Sequence, residues 1–130
     1  MLTFNLKKEW FEKIKSGEKT HEYREFKLYW LVRLQNYFDL WDDEIDEMER
    51  GKVYILDDPI AFRCGYNGEK LKAIAKYITI KNGLDTDLKI NKDVFDIEFE
   101  LIEKGRKQWA ITSPLHYAKS RKKQRVIKVL

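Results

Sequence analysis

Residues 94–102, Val94-Phe95-Asp96-Ile97-Glu98-Phe99-Glu100-Leu101-Ile102, alternate apolar and acidic side chains over most of their length. Phe95, Ile97, Phe99 and Leu101 point one way and Asp96, Glu98 and Glu100 the other, the period of a strand with one face on a core. Residues 71–81, just upstream, are rich in Ile and apolar at both parities, which suits a strand covered on both sides. Asn82-Gly83 and Lys104-Gly105 mark turns. Further back, 52–56 and 60–64 read as two strands separated by the turn Asp57-Asp58-Pro59. At the start of the chain Leu2, Phe4 and Leu6 alternate with Thr3 and Asn5 as a short strand.

Before Gly51 the period is helical. Trp10, Phe11 and Ile14 fall on one face, with Gly17 placed to end that helix. Leu31, Leu34, Phe38 and Trp41 form a second apolar stripe, on a helix running from about Leu28 into a run of acidic residues. Ser113-Pro114 has the form of an N-cap followed by proline at the first helical position, so a short basic helix is expected there. Residues 126–130 are expected to return as a last strand. Five or six short strands with two or three helices make an α+β chain with a small curved sheet or barrel at its centre.

At 130 residues the chain holds one domain's worth of material. An aromatic content of 14% with charges of both signs excludes a disordered chain. No apolar run approaches the roughly 18 residues of a membrane helix, and no membrane partner is expected. The opening MLTFNLKKEW has no apolar leader core, which points to the cytoplasm. One cysteine, Cys64, excludes an intramolecular disulfide, and with only His21 and His116 besides, no metal or other cofactor is expected.

The net charge of +4 is unevenly spread. Nine of the 26 basic residues follow Glu103 with no acidic residue among them, which leaves 17 basic against 22 acidic, a net of −5, in residues 1–103. Attraction to a polyanion therefore rests on the C-terminal segment, with Arg121, Lys122, Lys123 and Arg125 at its centre. The acidic block comprises Asp39, Asp42, Asp43, Glu44, Asp46, Glu47 and Glu49. The alternative is that both blocks are solvated faces or neutralise each other.

The local rules break at Gly17-Glu18-Lys19-Thr20-His21-Glu22-Tyr23-Arg24-Glu25. As a strand, this segment puts Thr20, Glu22 and Arg24 on one face and His21, Tyr23 and Glu25 on the other, and neither face is apolar. Convergent polar side chains between two apolar elements mark a candidate site. The structural alternative is an edge strand guarded by Lys and Glu. A second irregular stretch, Phe62-Arg63-Cys64-Gly65-Tyr66, offers the Arg63 guanidinium and the Tyr66 ring to a planar anionic ligand, or is an ordinary strand end.

Gly17-Glu18-Lys19-Thr20, followed by Glu22 and Arg24, resembles the GxKTxExR signature of the ASCH domain, a relative of the PUA domain. The flanks, Leu6-Lys7-Lys8-Glu9-Trp10-Phe11 and Phe62 to Tyr66, resemble a phage and bacterial branch of that family. The resemblance covers roughly residues 2–102, so 1–103 is expected as one ASCH/PUA-like domain and 104–130 as a basic extension packed on it. It implies a small PUA-like β-barrel of five or six strands with two or three flanking helices, a cleft where the signature meets the barrel, and an RNA- or nucleotide-related role.

Three functional classes follow. As a binding module, Lys19 and Arg24 would contact phosphate, Thr20 would belong to the same site, Glu22 would accept hydrogen bonds from a base or ribose, and Tyr66 or Trp10 would stack. As an enzyme, the chain is similar to ASCH proteins that deacylate acetylated cytidine with a lysine, a threonine and a glutamate. Lys19 matches the lysine, but Glu22 stands where the threonine belongs. Other ASCH proteins resemble ribonucleases, in which Lys19 and Glu22 would act as cationic stabiliser and general base. As a phage protein that inhibits a host factor, it would present the acidic block beside Trp41. RNA or nucleotide binding is the leading expectation.

Overall fold

The computed structural model describes residues 1–102 and the strand at 127–129. In chain order the elements are β1 (Leu2–Leu6), α1 (Lys8–Lys15), β2 (His21–Glu25), α2 (Leu28–Phe38), α3 (Asp42–Glu49), β3 (Lys52–Cys64), β4 (Lys70–Asn82), a 3-10 turn (Gly83–Asp85), β5 (Asp93–Leu101) and β6 (Ile127–Val129). The fold is α+β. A mixed sheet in the order β1-β3-β4-β5-β2 curls into a half-barrel against the three helices. The β6 strand pairs antiparallel with β3 at Lys52–Tyr54, while β1 pairs parallel with Ile60–Cys64 of the same strand.

The residues read as two strands with a turn form one strand of 13 residues. Asp57-Asp58-Pro59 carries turn chemistry, yet the β3–β4 register merely shifts between Ile55 and Asp58, so the turn is a bulge. Pro59 pairs with Ile74 and lies between the stretches of β3 that pair with β6 and with β1. Its missing N–H therefore costs no ladder bond. The bend this introduces helps a long strand curl.

The single helix expected from Leu28 into the acidic run is two helices. Asp39 takes a left-handed φ of 56°, its N–H donating to the Gln35 carbonyl, and the Trp41 N–H then donates to Glu44 Oε1 to start α3. Leu34 and Phe38 of the stripe are buried, but Trp41 lies past the break and is 45% exposed. The expected helix after Ser113-Pro114 lies outside the described residues. No helix among the described residues is long and apolar enough to cross a membrane.

The core fills the inside of the curl. Phe4, Phe62 and Phe99, from β1, β3 and β5, stack in succession with ring centroids 5.7 and 4.6 Å apart. Phe11 and Ile14 of α1, Leu34 and Phe38 of α2, and Ile45 and Met48 of α3 complete it. Because β1 and β2 are the two ends of the strand order, their outer edges, which pair with no other strand among the described residues, bound the open side of the half-barrel.

Gly83 holds the β4–β5 connection close to the sheet. Its N–H donates to the Lys92 carbonyl, and a Cβ there would stand 2.7 Å from the Ile90 carbonyl oxygen and 2.9 Å from Val94 Cγ1. Gly83→Ala is expected to destabilise the fold by about 1–3 kcal/mol in urea unfolding, because backbone and a packed side chain must both shift. An unchanged midpoint would show that the connection has room to spare.

Candidate functional site

Glu22 and Arg24 pair across β2–β5 with Ile97 and Phe95, so both project to the core side of the sheet. Only 3% of Glu22 is exposed. Arg24 Nε donates to Glu22 Oε2 at 2.8 Å, while Nη2 is ion-paired with the same oxygen at 2.6 Å and donates to the Asn5 carbonyl of β1 at 3.4 Å. The guanidinium also lies over the Phe4 and Trp30 rings, 5.1 and 4.8 Å from their centroids. Arg24 thus bridges the two sheet edges, held by a buried carboxylate and two aromatic faces.

Lys19 enters from the turn after α1. Its Nζ is paired with Asp87, lies 3.6 Å from Glu22 Oε1, and sits over the rings of Trp10 and Tyr23 at 5.6 and 4.9 Å. Glu22 Oε1 accepts no hydrogen bond from the described residues, although its carboxylate is buried. Burial pushes the Glu22 carboxyl above its usual range, against the pull of Arg24 and Lys19. Burial likewise pushes the Tyr23 hydroxyl up to about 12, so it is a neutral donor at physiological pH.

These groups line a cleft of about 450 Å³, with Asn5, Leu6, Lys7, Trp10, Glu25, Leu88 and Ile90 completing its walls. Three cations, Lys7, Lys19 and Arg24, face three carboxylates, Glu22, Glu25 and Asp87, so the cleft is balanced in charge. Among these lining residues there is no Ser, Thr or Cys to act as a nucleophile. Among the described residues no group of three or more potential ligands is placed to hold a metal.

The expected residues divide. Lys19, Glu22 and Arg24 converge in one concave site, as the signature segment suggested. Thr20 is exposed, donates no side-chain bond among the described residues, and lines a neighbouring cleft instead. Arg63 and Tyr66 do not border the site: Arg63 Nη1 donates to the Tyr66 carbonyl and the Tyr66 ring is 79% exposed. Gly65, at φ 70°, turns the chain there, and the strand-end reading accounts for the stretch. Arg121, Lys122, Lys123 and Arg125 lie outside the described residues. Asp87 was not legible in the sequence, and Tyr23, assigned to the opposite strand face, reaches the cleft because β2 is an edge. No family model, curated protein or solved structure matches the chain.

Arg24→Ala is expected to cost about 3–5 kcal/mol, because it strands a buried carboxylate. Arg24→Met combined with Glu22→Leu should cost much less than Arg24→Ala alone, as measured by denaturant unfolding. Additive losses would mean the two residues stabilise the fold independently.

A second expectation concerns pH. His21 Nδ1 lies 2.6 Å from Asp96 Oδ1, and that hydrogen bond raises the imidazole above its ordinary value of 6.5. A raised histidine contributes stability that is complete below the unfolded value and lost as pH rises through the folded one. Wild type should therefore exceed His21→Asn in stability most at about pH 5.5 and progressively less towards about pH 8.5. A gap that is constant with pH would remove the charged pair as its cause.

Proposed function

We propose that the chain binds RNA or a nucleotide through one nucleoside unit seated in the cleft between β1 and β2. The observation that carries the reading is the buried Glu22 Oε1, which accepts no hydrogen bond from the described residues and has only the Lys19 ammonium at 3.6 Å, in a cleft walled by Trp10 and Tyr23. A buried acceptor favours a ligand that donates N–H or O–H to it, since leaving it unpaired is costly. The base amino and imino groups and the ribose hydroxyls are such donors. A volume of about 450 Å³ suits a ligand of nucleoside size.

Charge balance refines the expectation from the signature. Lys19 and Arg24 are engaged by Asp87 and Glu22, so they position the carboxylate rather than stand free for phosphate. The cleft therefore discriminates by hydrogen bonds and aromatic contact more than by net attraction. The ASCH/PUA-like character of the fold belongs to the same proposal, supported by the signature residues and by the curled sheet.

One observation favours hydrolysis as a second reading. A carboxyl raised by burial beside an ammonium is a general acid or base in waiting. Against it stand the hydrogen bond and ion pair by which Arg24 holds Glu22 Oε2 and the absence of a Ser, Thr or Cys among the described lining residues.

Titration with ribonucleosides and their 5′-monophosphates, followed by tryptophan fluorescence, tests the binding reading. Binding is expected to fall by about 1–3 kcal/mol on Trp10→Ala, the range for loss of an aromatic partner, and to fall also on Glu22→Gln. Inorganic phosphate should not compete. Absence of nucleoside binding at millimolar concentration would sink the proposal, while acetate release from N4-acetylcytidine that is lost in Lys19→Ala would make the hydrolase primary.

A further inference from the structure

A second cleft, of about 460 Å³, adjoins the first and shares Trp10, Lys19, Tyr23 and Asp87 with it. Its own walls are Lys13, Glu18, Thr20, His21, Asp85, Thr86 and Lys89. The Lys19–Asp87 pair is thus the partition between two chambers of nearly equal size. On the second side the His21 and Tyr23 rings lie parallel, 6.0 Å apart with 12° between their planes, forming a flat aromatic surface along β2.

Pairing within the two chambers leaves one exposed cation over in each. In the first, Lys19 and Arg24 are engaged by Asp87 and Glu22, and Glu25 by Lys92 at 3.8 Å. What remains among the described residues is one cation, Lys7, while Glu22 Oε1 accepts no hydrogen bond and is ion-paired with Lys19 Nζ at 3.6 Å. In the second, Lys13 is paired with Glu18 at 3.9 Å and Lys19 with Asp87. What remains is again one cation, Lys89, here beside an unpaired carboxylate, Asp85. Lys7 lines only the first cleft and Lys89 only the second, so the two uncommitted cations stand on opposite sides of the partition.

We infer that the two clefts are consecutive subsites for two linked nucleotides of a single-stranded RNA, with Glu22 and Asp85 accepting from the bases or riboses and Lys7 and Lys89 contacting phosphates on either side of Lys19. The inference rests on the nucleotide reading of the first cleft and extends it from one unit to two. Two adjoining clefts on a shared aromatic wall, each with its own unpaired cation, match the repeat of a polymer. A lone nucleoside would leave the second chamber's cation unused. Phosphate recognition also moves from the buried pair at Lys19 and Arg24 to the two exposed lysines, where a cation is released from no partner when it binds.

The test compares ribonucleoside 5′-monophosphates with 5′-phosphorylated RNA dinucleotides on the full chain, using wild type, Lys7→Ala and Lys89→Asn. Asparagine is chosen because Lys89 has φ 53°, a left-handed conformation that asparagine tolerates. The best dinucleotide is expected to bind about tenfold tighter than its monophosphate, the gain of one added stacked unit. Lys89→Asn should remove most of that gain and leave monophosphate binding unchanged, whereas Lys7→Ala should weaken both ligands. Each substitution should flatten the salt dependence of dinucleotide binding by about 0.7 in log–log slope. Monophosphate binding with no gain from the second unit, or equal losses for both ligands in Lys89→Asn, overturns the two-subsite inference alone. Failure of every nucleotide to bind overturns it together with the reading beneath it.

Discussion

The ion pair between Glu22 and Arg24 is the constraint on which the open side of the half-barrel depends. Among the described residues the curled sheet ends in two unpaired edges, β1 and β2, and Arg24 reaches from one to the Asn5 carbonyl of the other. A guanidinium in that position needs a counter-charge, and Glu22, two residues earlier on the same strand face, supplies it. Taking both groups out of water is expensive, and two short contacts to a single carboxylate oxygen offset only part of that cost. The Phe4 and Trp30 faces recover more by covering the guanidinium with rings that attract it. An apolar pair of similar volume would fill the gap without a desolvation cost, but it would leave no polar floor. The ionic solution trades stability for a buried acceptor facing a cleft.

That trade explains why cationic residues counted along the sequence are a poor guide to which cations stand free. Formal charge counts Lys19 and Arg24 as available, whereas the fold commits each to a carboxylate. Asp87 is the decisive residue: it stands 68 positions from Lys19 in sequence and reaches it through the connection after Gly83. With Asp87 in place, Lys19 fastens that connection to the turn after α1 and is held against Trp10 and Tyr23. The local electrostatics are set by packing of distant segments, and no count of charges along the chain contains them.

The same distinction governs what could be read in advance. Alternation in residues 94–102 and around Phe4, and the helical stripe through Phe11 and Ile14, were legible because burial enforces a period on neighbouring residues. The bulge at Asp57-Asp58-Pro59 was not. Its chemistry is that of a turn, and only the gap between β6 and β1 along one edge of β3 makes proline acceptable within a strand. The break at Asp39 was hidden for a similar reason, since neither glycine nor proline marks it and a residue tolerant of left-handed φ performs the turn. In the site, Lys19, Glu22 and Arg24 were legible as a local violation of core-building rules. Tyr23 lies on the strand face expected for it, beside His21, and its part in the cleft was not legible because alternation sorts side chains by face and not by which of them border an edge.

Residues 17–25 hold both an edge strand and the polar side chains of a cleft, features that sequence alone set against each other. Strand β2 is an edge with five residues and no apolar face, the composition that resists pairing with another chain. Its charges do not merely decorate the solvent side, because Glu22 and Arg24 point inward. Inward charge on a terminal strand is itself a barrier to edge-to-edge association, since a strand added there would have to bury or displace it. The residues that keep β1 and β2 from closing on each other also keep either from closing on a neighbour. A polar cleft at the seam is therefore a consequence of leaving the sheet open, and its position is fixed by where the described strands stop short of closing the curl.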